Sequence, residues 1–227
     1  MAALGKLRIA LRDNGLVLAM ASACLLSLLG MVASGWSAEN EVRAEHGAAP
    51  LALAGYLQSG QFREALFENW ESEFLQMAMY VVLTVWLFQR GSSESKDPDR
   101  PAPQDADPRL ESVTATTPWP VRRGGWWLVV YENSLLLLFA GLFLASFWAH
   151  VVGGAANFNA EADWHGQDRV SAWEFLGTSE FWFQSTQNWQ SEFMVMAVLV
   201  IAATYLRQRG SPESKPVAAP HRETGND

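Results

Sequence analysis

The chain has one cysteine in 227 residues, Cys24. That excludes an internal disulfide framework and a cysteine-based zinc site. Basic residues are outnumbered, 16 against 24 acidic, and the net charge of −8 argues against a general nucleic-acid binder. Also missing are a Walker A loop, a glycine-rich dinucleotide loop after a strand, an HExxH pair and a G-x-S-x-G elbow. The sequence therefore names no reaction, and a non-enzymatic protein without a cofactor is expected.

Long apolar runs, by contrast, are present. Residues 16–33 hold no charge and are broken only by Ser22, Cys24 and Ser27. Residues 135–152 are broken only by Ser146 and His150. Each reaches the length of a transmembrane helix. Two shorter runs, 74–88 and 193–206, reach that length when extended back to Asn69 and Asn188. These four runs predict an all-α membrane protein with spans at about 14–35, 69–90, 133–154 and 188–209. The first run also reads as a signal peptide, with Lys6, Arg8 and Arg12 before it and Ala33-Ser34-Gly35 as a cleavage site.

A repeat argues against that alternative. Offset by 119, residues 5–96 and 124–215 match without gaps at 30 of 92 positions; unrelated chains of ordinary composition match at roughly 6%. The best blocks are Asn-Trp-x-Ser-Glu-Phe at 69–74 and 188–193, and Gln-Arg-Gly-Ser-x-Glu-Ser-Lys at 89–96 and 208–215. Asn14/Asn133, Asn40/Asn159 and His46/His165 are weaker echoes. The first run thus corresponds to an internal one, which cannot be a cleaved leader.

The chain divides on this reading into a first unit at 1–97, a proline-rich disordered linker at 98–120, a second unit at 121–216 and a disordered tail at 217–227. The two units are parallel repeats of a two-helix hairpin. Thirteen of the 16 basic residues fall in the N-terminal arm, the stretch after the second run and the C-terminal tail. By the positive-inside rule both termini and the linker are cytoplasmic, at the cell membrane. The outward segments 51–68 and 170–187 are rich in aromatic and leucine residues and predict interfacial helices on the outer side.

The two repeated blocks resemble an uncharacterised family of bacterial membrane proteins catalogued as a domain of unknown function. The resemblance covers nearly the whole chain. It implies a bacterial inner-membrane protein and carries no activity.

Several residues stand out as sites. Glu73 and Glu192 lie at matched positions inside the shorter runs. An intramembrane carboxylate pair suits a cation or proton site in a small transporter or channel. The alternative is helix capping, with Asn69 and Asn188 as N-caps and the acids at the positive helix ends. Gln76, Tyr80 and Thr84 continue a polar stripe from Glu73, expected to face the interior. Gly141, Ala145, Ala149 and Gly153 form a small-residue face matched in part by Gly30 and Ser34, suited to close helix packing or a homo-oligomer contact. Arg90, Lys96, Arg209 and Lys215 are expected to anchor the membrane exits at the anionic inner leaflet. His46 and His165 sit among acidic residues, but one histidine per loop is thin as a metal site. His150 reads as a helix-end residue. The expected partners are the lipid bilayer and a membrane protein or further copies of the chain.

Overall fold

A computed structural model describes residues 2–225 of the chain. The side chains of Lys6 and Arg8, counted above as basic flank, and residues 226–227 of the tail lie outside the described set. Among the described residues the fold is all-α, with no strand. The helices are α1 (Ala2–Glu45), α2 (Leu53–Tyr56), α3 (Gly60–Trp86), α4 (Trp119–Arg123), α5 (Gly125–Glu132), α6 (Ser134–His165), α7 (Ala172–Leu176) and α8 (Ser179–Tyr205).

The repeat is visible in the backbone. α3 and α8 are both 27 residues long and begin and end at positions offset by 119. Asn14 breaks α1 with φ −125°, and its counterpart Asn133 separates α5 from α6 with φ −110°. α1 ends where Gly47 takes φ +69°, and α6 where Gly166 takes φ +64°, a left-handed conformation that glycine adopts without strain. The Asn40 side chain then clamps the loop, accepting from Leu51 N at 2.6 Å and donating to Leu51 O at 3.2 Å. Asn159 does the same to Val170, at 2.7 and 2.9 Å. One amide thus satisfies two backbone groups that the loop leaves open.

Among the described residues two helices, not four, are long and apolar enough to cross a membrane: residues 11–45 of α1 and all of α6. α3 and α8 fall short because their apolar ends are short. The backbone leaves the helix after Trp86 and Tyr205, so the apolar runs contribute only their first thirteen or so residues. The separate interfacial helices expected over 51–68 and 170–187 are also corrected. Only α2 and α7 are separate; the rest of each segment is the first half of α3 or α8. Each continuous helix is about 40 Å long at 1.5 Å per residue.

Compact packing divides the chain differently from the repeat. One unit comprises residues 1–64 and 152–172, the other 65–151 and 173–227. In the first, Gly60 and Gly153 let α3 and α6 approach closely. A methyl group on Gly153 would lie 2.8 Å from Glu64 N and 2.9 Å from Arg63 Cβ, and one on Gly60 would strike the backbone at Ala156 and Asn157. Asn157 adds a 2.7 Å hydrogen bond to Glu64. Tyr56 is buried beside Gly35; burial and the nearby Glu39 charge raise its phenol above the usual range. Gly153 thus packs against α3 rather than against the first span. Gly30 and Gly141 would meet no atom within 4 Å, and Ala145 is exposed, so the small-residue face is not one intramolecular seam. Ala149 is half-buried, and Ser34 bonds back to Gly30 O in its own helix.

In the second unit the described part of the tail makes several hydrogen bonds to the rest of the chain. Lys215 is 1% exposed, and its ammonium donates to the carbonyls of Pro220, His221 and Glu223 at 3.2, 3.1 and 2.7 Å. Burial lowers its pKa below the usual lysine value. Gly91 N donates to Thr224 at 2.9 Å and Gly225 N to Ser92 O at 3.0 Å. Lys215 is therefore a strut of the tail. Lys96 pairs with Asp105 at 2.6 Å in the linker, which otherwise holds turns and one 3-10 segment, Pro103–Asp105. Arg90 pairs with Asp99, and Arg209 is exposed.

Candidate functional site, a buried histidine–carboxylate joint

The second unit brings three helices together on one buried ionisable pair. α3 supplies Glu71, α6 supplies His150, and α8 supplies Gln184 and Trp189. His150 and Glu71 are both fully buried. His150 Nδ1 lies 2.9 Å from Glu71 Oε2, and Nε2 lies 3.1 Å from Gln184 Oε1. The other carboxylate oxygen of Glu71 accepts from Trp189 Nε1 at 3.0 Å.

Local sequence explains the placement. Glu71 and Glu73 are two residues apart on α3, about 200° around the helix. One therefore faces inward and the other outward: Glu71 is buried and Glu73 exposed. Asn69 and Asn188 are not N-caps. They lie well inside their helices and bond back to Ala65 O and Gln184 O, at 2.8 and 3.1 Å. The caps are Ser59, accepting from Phe62 N, and Thr178, accepting from Phe181 N, both at 3.2 Å. Glu73 and Glu192 thus lie more than three turns into their helices, beyond the reach of the N-terminal dipole.

Aromatic packing keeps the joint dry. Phe181, fully buried, lies against the His150 ring at 4.9 Å and is itself flanked by Phe147 and Phe175. A carboxylate in such a place needs its hydrogen bonds met within the protein. Glu71 has a donor for each oxygen. Both His150 nitrogens face oxygen acceptors, the pattern of an imidazolium beside a carboxylate. If the ring is neutral, Gln184 serves equally well by turning over its amide, because an amide presents a donor on one side and an acceptor on the other. Glu68, one turn before Glu71 on α3, also lies within electrostatic reach of His150 and Glu71.

Glu73 and Glu192 come close enough for their charges to interact, though Glu192 is only half-buried. Gln76 is buried, in keeping with an interior stripe. Tyr80 donates to Glu94 at 3.0 Å, and Thr84 to Tyr80 O at 2.8 Å. His46 and His165 lie side by side in the first unit, with ring centroids 6.4 Å apart. No group of three or more metal-ligating side chains occurs among the described residues.

Sequence reasoning placed His150 at a helix end and passed over Glu71. The available signal was the single charge change within the best repeated block, where Glu71 stands opposite Gln190.

No curated protein and no solved structure matches the chain. Residues 7–226 match one family, described as Domain of unknown function (DUF6766). The chain belongs to that family.

Proposed function

We propose that the protein is an integral protein of the cytoplasmic membrane with a non-enzymatic role, acting by association with a membrane partner or with further copies of itself. The observation that carries this reading is α1. Its apolar stretch is long enough to span, and none of its most apolar window is covered by the rest of the chain. Leu16, Val17, Met20 and Leu26 are all exposed. In water such a surface is unfavourable by about 25 cal/mol per Å²; in lipid it is at home. Lys6, Arg8 and Arg12 at the start of α1, ahead of its apolar stretch, and Arg122 and Arg123 ahead of α6 support a cytoplasmic side for both N-terminal flanks. α3 and α8 then return the chain, with Glu71 and Gln76 of α3 buried within the protein rather than facing lipid. The Glu71–His150 joint holds the return helices to α6.

Alkaline washing of membranes from expressing cells tests this. Retention in the pellet, with α1 still present by intact mass, is the expected result. Release into the supernatant, or a mature chain lacking α1, overturns it.

A second reading, a proton or cation pathway, is favoured by the buried Glu71–His150 pair and by the approach of Glu73 to Glu192. It requires a pH- or cation-dependent flux in liposomes that Glu71→Gln, Glu73→Gln or Glu192→Gln abolishes. Equal flux in all variants rules it out.

A further inference from the structure

We propose that His46 and His165 together bind one divalent transition-metal ion of the zinc, nickel or copper class. The two residues are 119 apart in sequence and occupy the same position in the two repeats. The fold places both in one compact unit, with ring centroids 6.4 Å apart and ring planes at 77°. Two imidazoles sharing one ion at a metal–nitrogen distance of about 2.0–2.1 Å place their ring centres about 5 Å apart at a tetrahedral ion and up to about 6.5 Å apart on opposite sides of a square-planar or octahedral one, so the two rings stand at the outer end of that range.

Both rings are already set for ligation. His46 Nδ1 donates to Val42 O and His165 Nδ1 to Glu161 O, each at 2.9 Å and each one turn back in its own helix. A carbonyl at Nδ1 fixes the tautomer that leaves the Nε2 lone pair outward, the usual outer-shell arrangement of a metal-binding histidine. No hydrogen bond engages Nε2 of either ring among the described residues. Trp164 stacks on His46 at 4.7 Å and holds that ring in place. Both histidines are exposed, so an ion in solution reaches them directly.

The surroundings favour a cation. Each histidine sits at the C-terminal end of a long helix, where the carbonyl ends of the dipole point outward. Exposed Glu45 and Glu161 are nearby in sequence, and Asp163 is engaged by Arg169 at 2.6 Å. Two nitrogen donors select zinc, nickel or copper over magnesium or calcium, which prefer oxygen. Water completes the shell, so the ion exchanges readily.

The test uses the full chain, purified in detergent without a polyhistidine tag and titrated with zinc chloride and, separately, copper chloride. Calorimetry is expected to show one ion per chain. His46→Gln and His165→Gln should each weaken binding by about tenfold or more, and the double variant little further, because each single change already breaks the chelate. His221→Gln should leave affinity unchanged. Copper should quench a part of the fluorescence that Trp164→Phe removes. Affinity should fall as pH drops, because protons compete with the ion for the ring nitrogens. Two independent ions per chain, affinity indifferent to either histidine, or equal binding of magnesium overturns the proposal. Helical circular dichroism of each variant confirms that the exposed substitutions leave the fold intact.

Discussion

The indole of Trp189 donates to Glu71 at 3.0 Å, across a sequence separation of 118 residues. It ties the second repeat to a carboxylate that the first repeat alone possesses. Trp70, the counterpart of Trp189, instead lies 40% exposed among Phe67 and Phe74.

Breaking this joint is costly. His150→Ala leaves Glu71 buried with its charge unmatched and should destabilise the protein by about 3–5 kcal/mol. Glu71→Gln keeps an acceptor for Trp189 and should cost less. Thermal unfolding in detergent, followed by circular dichroism, ranks the two; equal and small losses contradict the joint.

Glu73→Gln should barely alter stability, since Glu73 is exposed and more than three turns from its helix start. A loss above about 1 kcal/mol in the same melting assay would restore the capping role.

The glycines divide into two classes. Gly153→Val should be strongly destabilising, because its side chain would enter the backbone of α3 at Glu64. Gly30→Ala and Gly141→Ala meet open space and should be neutral or stabilising by up to about 1 kcal/mol, as glycine is a poor helix former. Comparative melting temperatures of the three variants decide the matter.

Topology is testable with single cysteines in a Cys24→Ser background. Val113→Cys in the linker should be protected from an impermeant maleimide in intact cells, while Asp168→Cys should be labelled. Labelling of Val113→Cys but not of Asp168→Cys would remove the return passage assigned to α3, and labelling of both would remove the crossing assigned to α6.

Lys215→Met removes three hydrogen bonds to the tail. Limited proteolysis should then cut between 216 and 225 several times faster than in the unaltered chain.

Much of this architecture is legible in the sequence, and the parts that are not share a cause. The repeat offset predicts matched helix ends, and Asn40/Asn159 and His46/His165 mark matched positions before their roles are known. The continuous α3 and α8 are harder to foresee. The change from amphipathic to apolar residues at Phe74 and Phe193 looks like an element boundary, yet backbone hydrogen bonding ends only where a cap or glycine stops it. Asn69 and Asn188 resemble caps by residue type, but Ser59 and Thr178 hold that place. The Glu71–His150 pair joins residues 79 apart, a distance no local pattern reports. A repeat displays what the halves share, and the joint is built from what they do not.

The division of labour at the joint has a further consequence. Where the first half carries Glu71 the second carries Gln190, and where the second carries His150 the first carries Met31. A protein made of two first halves would hold two acids and no imidazole; one made of two second halves would hold two imidazoles and no acid. The duplication has become, in effect, a heterodimer written on one chain, in which neither half can stand in for its twin.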